Sequence, residues 1–253
     1  MGANVQPGST YPATIPAVML GGSDVTSQLQ GGQIGASITL RDNTLPTDQA
    51  ELDEFAQNLA GRFDTEGLRL FSDPSGNVPA ASAPPSPVQS NYVGFAGTIQ
   101  VNAAVQAQPS LVRDGTGGGN PNNLAGYTDL IQKVLTYTFG TNLSTGVQWP
   151  ASSTSGLGVT GTLNAPYMAP STIGGLAATM LASQAQQSSA VSTQVDAEQA
   201  VQTTLSNKLS TQSGVNMDTE MSHMIQLQNA YGANARIIST VQAMFNQLLQ
   251  AVQ

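Results

Sequence analysis

The stretch MSHMIQLQNAYGANARIISTVQAMFNQLLQAVQ, Met221 to Gln253, decides how the rest of the chain is read. It holds a single lysine or arginine, Arg236, and no acid, so it lacks the charged face that a solitary surface helix needs. Alternating steps of four and three from Met217 reach Met221, Met224, Gln228, Tyr231, Ala235, Ile238, Gln242, Phe245, Leu249 and Val252, an unbroken heptad seam. A second seam runs beside it through Leu227, Ala230, Asn234, Ile237, Val241, Met244, Leu248 and Ala251. Two adjacent seams predict a helix packed on two sides. At 1.5 Å per residue it spans about 55 Å, longer than a compact domain of this size is wide. The residues expected to make its packing interface are Met221, Met224, Leu227, Tyr231, Ile237, Ile238, Val241, Phe245, Leu248 and Leu249.

Upstream, STQSGVN interrupts the helical pattern, and Asn216 is placed to cap the last helix, with Asp218 and Glu220 in a first turn where the dipole favours anions. Before that break a second helix is expected from Ser171 or Thr172 to about Ser210, on Leu176, Met180, Val191, Val195, Leu205 and Leu209. Folded back as an antiparallel hairpin over 171–253, it covers one flank of the last helix and leaves the other for a partner. Residues 31–73 form a further helical segment, with Ile34, Ile38, Leu45, Leu52, Leu59 and Phe63 at helical spacing. Pro46 marks a helix start or a kink there, and SDPSG at 72–76 a terminating turn.

Residues 1–30, with Pro7, Pro12 and Pro16, are expected to be extended, the remnant of an outer domain, with AVML as a short strand. Residues 74–170 are expected to be β-rich and looped, with YVGFAGTIQVNAAV as a strand and one short helix near 123–139. The fold class is therefore mainly α with a smaller β or irregular part: long antiparallel helices in a coiled-coil-like bundle, plus a middle rich in β-hairpins.

Composition narrows the function. Only 9% of the 253 residues are charged, the net charge is −8, and the seven lysines and arginines are scattered, which argues against nucleic acid as a partner. Eight of the fifteen acids lie between Asp42 and Asp73, whereas Val134 to Val195 contains no charge at all. Glutamine and asparagine interrupt every apolar run before the ~18 residues that a membrane span needs, so no membrane is expected. The opening MGANVQPGSTYPATIP lacks the basic and apolar regions of a signal peptide, so an exported protein would leave by another route.

Catalytic chemistry finds no set of residues. His223, the single histidine, sits among polar neighbours on a helix, with no cleft or oxyanion hole implied. With no cysteine and one histidine, a zinc site is implausible, and no cofactor or metal is expected. GTGGGNPNN lacks the Gly-Lys-Ser/Thr ending of a phosphate loop. The pairs Asp53/Glu54 and Asp196/Glu198 have the residue types of glycosidase carboxylates, but both are expected on solvated helix faces. Trp149 is expected to anchor a hairpin, and Met217, Met221, Met224 and Met244 to form an adaptable packing face.

SGVNMDTEMSHMIQLQNAYGANARIISTVQAMFNQLL resembles the C-terminal helix of the axial proteins of the bacterial flagellum. The matching features are Ser-Gly-Val-Asn, an acid pair, Gln-Asn-Ala-Tyr, Ala-Arg-Ile-Ile and Met-Phe. GGQIGASITLRDNTLPTDQAELDEFAQNLAGRF and VNAAVQAQPSLVRDGT are similar to the hook-associated protein 1 branch of that family, and the resemblance covers roughly residues 30–140 and 190–253. That family pairs its C-terminal helix with an N-terminal one of which this sequence shows no counterpart, so the resemblance is to the C-terminal part. It implies a non-enzymatic structural component of the hook–filament junction, extracellular and exported without a cleaved signal. The implied partners are copies of itself, the hook protein, other hook-associated proteins and a cytosolic export chaperone. The alternatives are hook-associated protein 3, a flagellin-like axial protein, or a secreted adhesin-like binding module derived from one.

Overall fold

The computed structural model describes residues 6–11, 13–214 and 216–251. Val252 of the first seam, Val215 of the interhelical break and Pro12 lie outside them. The chain is mainly α, with a few two- and three-residue strand pairs, and divides into one unit up to Gln187 and a second from Ser188.

The first unit is organised by one long helical run: α1 (Gly32–Thr39), a π-turn (Leu40–Thr44) and α2 (Leu45–Thr65). The π-turn explains Pro46. A proline two residues into α2 has no N–H to give, and widening the preceding turn makes room for its ring without ending the helix. The run stops at Thr65, earlier than the expected Asp73. Gly67 takes φ +92°, the Leu68 amide bonds back to the Phe63 carbonyl at 3.1 Å, and Gly67 to Asp64 at 3.0 Å, so the glycine reverses the chain. SDPSG then forms a separate turn in which Asp73 Oδ1 accepts the Ser75 and Asn77 amides, both at 2.8 Å.

Apolar side chains on α2 feed two small cores. Ala56 and Ala60 pack with Tyr92 and Phe95, while Phe63 packs with Leu68, Leu130 and Val134. Phe63 sits edge-on to Phe71 and Phe139, with ring centres 5.5 and 5.7 Å away. The hairpin of β1 (Met19–Leu20) with β2 (Ser23–Asp24) supplies the strand expected from AVML. The expected strand YVGFAGTIQVNAAV is not one. It forms a 3-10 turn (Phe95–Gly97), a two-residue strand β4 (Gln100–Val101) paired with β3 (Phe71–Ser72), and α3 (Ala103–Ala107). Gly94 at φ +81° opens the turn, and Asn102 ends the strand by accepting the Ala104 amide at 2.9 Å, which caps α3.

The middle segment is richer in turns than in strands. After α4 (Leu111–Asp114) come α5 (Asp129–Lys133), a second π-turn (Val134–Thr138), and the hairpin of β5 (Asn142–Ser144) with β6 (Val147–Gln148). Trp149 follows that hairpin and does anchor it: its indole donates to the Tyr137 carbonyl at 2.7 Å.

The long helix α6 (Ile173–Ser213) is rooted in the first unit and leaves it. Thr172 caps it through the Gly175 amide at 3.0 Å, and Ile173 and Leu176 are buried. The last helix, α7 (Met217–Ala251), starts as expected, with Asn216 Oδ1 accepting the Asp218 amide at 3.1 Å. The covered hairpin is not what forms. Every residue from 188 to 250 whose side chain is described is exposed, so neither seam of α7 is shielded by α6. The reason lies in α6 itself: beyond Leu181 its large apolar side chains are five, Val191, Val195, Val201, Leu205 and Leu209, spread through serine, threonine and glutamine.

Candidate functional site: an uncovered helix and a buried polar root

The seam residues of α7 lie where the sequence places them, along a helix, and all ten are at least half exposed. Ile238 is 60% and Phe245 68% accessible, values far from those of a core. Isolated exposed apolar residues are ordinary, but a continuous stripe of them along a 35-residue helix marks a contact surface. Charge is nearly absent from it: Asp218 and Glu220 sit in the first turn and Arg236 lies on the side away from both seams. Gln228, Asn234 and Gln242 interrupt the seams with amides, the kind of residue that fixes helix register in coiled coils. His223 is exposed on the same helix, one turn from Glu220.

Polar residues are buried instead on α2, which corrects the expectation for Asp53 and Glu54. They are 1% and 5% exposed, not solvated. Asp53 accepts the backbone amides of Gly94 at 2.7 Å and Ala96 at 2.8 Å, together with the Gln49 side chain at 3.0 Å. Burial raises its pKa, and those amide donors oppose the rise. Glu54 joins three segments. It accepts the Tyr92 hydroxyl at 2.7 Å, the Ser153 amide at 2.7 Å and the Asn58 amide at 3.0 Å. Burial, then the Glu54 charge, pushes the Tyr92 phenol well above its ordinary range. These carboxylates have their lone pairs occupied by structural donors, so they fasten loops to α2 and are not placed to act on a substrate. Asp196 and Glu198 do lie on a solvated face of α6, where Glu198 accepts the Gln194 amide at 3.1 Å.

Arg62 is the residue that sequence reasoning passed over. It is 3% exposed, lies under the Trp149 ring at 4.8 Å and has no carboxylate partner among the described residues. Its guanidinium donates to the carbonyls of Gly140 at 3.1 Å, Ser171 at 2.9 Å and Thr138 at 3.4 Å. Desolvation lowers its pKa, yet an arginine stays charged at any ordinary pH. Arg62 thus ties α2, the end of the second π-turn and the residue two before α6 into one joint. One signal was legible: Arg62 stands three residues after Leu59, at helical spacing.

Residues 209–251 match the family model described as flagellar basal body rod FlgEFG protein C-terminal. No curated protein and no solved structure matches the chain. The match covers α7 nearly end to end, together with the last turn of α6. The likeness to the flagellar rod proteins is confined to these C-terminal residues. Among the described residues, no helix is long and apolar enough to cross a membrane.

Proposed function

We propose that the protein is a self-assembling structural component of the bacterial flagellum, similar to hook-associated protein 1 and working at the hook–filament junction. One observation carries this reading. The helix that matches the flagellar basal body rod family is the one whose two apolar seams have no cover among the described residues. The proposed interface comprises Met221, Met224, Leu227, Tyr231, Ile237, Ile238, Val241, Phe245, Leu248 and Leu249. Its neighbours are copies of the same chain, the hook protein and other hook-associated proteins. Before export, a cytosolic chaperone covers the seams, because an apolar stripe of this length promotes aggregation. The protein leaves the cell without a cleaved signal and acts mechanically.

Complementation of a strain lacking the gene tests this. Ile238→Asp places an unpaired carboxylate in the seam, which costs several kcal/mol in each buried interface. The variant is made, but cells keep their hooks and shed filament protein into the medium, while Asp129→Asn, at an exposed position on α5, assembles normally. Normal filaments with Ile238→Asp would refute the role of the seam. A second reading has its own support, since the matched family is described by rod proteins: a rod or hook subunit. Under that reading cells without the protein lose the hook itself.

A further inference from the structure

A groove with a volume of about 690 Å³ runs along the start of α2, within the first unit. It is lined by α2 from Leu45 to Asp53, by residues 6–11 and by the loop 158–163. Leu45, Leu52 and Val159 are exposed in it. Its three carboxylates differ. Asp53 is taken by backbone amides, and Asp42 by the Arg41 guanidinium at 2.5 and 2.9 Å. Asp48 is half-buried, and its carboxylate makes no hydrogen bond or ion pair among the described residues. No lysine or arginine lines the groove. Leu45, Asp48 and Leu52 follow in steps of three and four, so they share one face of α2. An apolar strip that holds an unpaired acid is complementary to an apolar strip that holds a cation.

Such a strip lies on α6. Val201, Leu205 and Lys208 follow in steps of four and three, and all three are exposed. Lys208 is the single lysine or arginine of α6, and its ammonium makes no hydrogen bond or ion pair among the described residues. The strips match in length, since Leu45 to Leu52 and Val201 to Lys208 each rise about 10 Å. Glu198, the nearest acid on that face of α6, stands about 15 Å along the helix from Lys208 and accepts the Gln194 amide at 3.1 Å. The other cations fit less well. Arg41, Arg69 and Arg113 are held by acids of their own, Arg62 is buried, and Arg236 stands among small and polar residues. Lys133 lies close enough to Glu66 to hold down its pKa.

We propose that the groove receives the α6 stretch 201–208 of a second copy of the chain, with the lysine ammonium on Asp48 and the apolar residues against Leu45 and Leu52. The inference rests on the reading of the protein as self-assembling, and it names a contact made by the first unit. Apolar burial supplies the affinity, and the exposed ion pair fixes the register. One patch meets a different patch on the next copy, so the contact is heterologous. It passes from copy to copy and builds a ring or a helical array, not a closed pair.

Carbodiimide cross-linking of the full chain tests this, because that reagent joins a carboxylate directly to an amine that touches it. Isotope-labelled and unlabelled protein are mixed, so mass spectrometry separates links between copies from links within one. An Asp48–Lys208 link of mixed isotope is expected. Leu205→Asp keeps both reacting groups and lowers its yield at least about tenfold. Val191→Asp, on the same helix but outside the stretch, leaves it within about twofold. Asp48→Lys alone loses the link, and adding Lys208→Asp restores one with the two groups exchanged. Absence of the mixed link, or a yield indifferent to Leu205→Asp, overturns the proposal. So does a groove that binds n-butylamine while the copies stay unlinked, which would make it a site for a free amine. The seams of α7 are judged by Ile238→Asp, so that reading and this contact can fail separately.

Discussion

The two helices α2 and α7 reverse the usual distribution of side chains. The first buries charges: Glu51, Asp53, Glu54 and Arg62 all lie inside the first unit. The second exposes apolar residues from Met221 to Leu249. Each is understood by asking where its partners come from. Asp53 and Glu54 have donors supplied by the same chain, Gly94, Ala96, Tyr92 and Ser153 among them, so their burial is compensated within it. The seams of α7 have no such supply, and the described residues around them are all exposed. A helix that is self-sufficient organises a domain, and a helix that is not offers the surface that the proposed assembly requires.

The same kind of insult should therefore have opposite effects on the two helices. Glu54→Ala has the largest effect on the isolated chain. It strips the Tyr92 hydroxyl and the Ser153 amide of their acceptor and is expected to cost about 3–5 kcal/mol, the loss of two hydrogen bonds to a charged group at about 1.5–3 kcal/mol each. Urea denaturation followed by Trp149 fluorescence reads this directly, and an unchanged midpoint would place Glu54 back on a solvated face. Asp53→Ala leaves two buried amides unsatisfied and is expected to cost about 1–3 kcal/mol in the same assay. Next comes amide exchange in the monomer. Ile237, Val241 and Leu248 exchange at least about tenfold faster than residues 50–60, because no tertiary contact supports their hydrogen bonds. Equal protection would mean that α7 has a cover within the chain. The smallest effect is that of Ile238→Asp, which changes the stability of the isolated chain by less than about 0.5 kcal/mol, as surface substitutions do. A larger loss in the monomer would show that the seam is already buried there.

Helical periodicity made α2, α6 and α7 legible, including the cap at Asn216 and the place of Pro46. The length of α2 was not, because Gly67 ends it by a backbone conformation that apolar spacing does not encode. YVGFAGTIQVNAAV alternates like a strand, but Gly94 and Asn102 impose a turn and a cap on either side of two paired residues. The apolar seam of α7 was legible as a surface because its pattern lies in consecutive turns of one helix. The burial of Asp53 and Glu54 was not, since Tyr92, Gly94, Ala96 and Ser153, which donate to them from other segments, are 38 or more residues away in sequence. An acid on a helix looks the same in sequence whether water or a distant amide receives it. The two adjoining long helices were legible too, but not that α6, poor in large apolar side chains, leaves both seams of α7 exposed.

Arg62 also determines how the chain answers a pull. Tension applied along α6 reaches its base at Ser171, whose carbonyl is held by the guanidinium, and passes through Arg62 into the backbone of α2. The same guanidinium grips Gly140 and Thr138, and Trp149 covers it, so tugging one strand engages several attachments together. Bonds loaded side by side yield together, at a higher force than the same bonds broken one after another. The planar fork of an arginine provides this and the single point charge of a lysine does not.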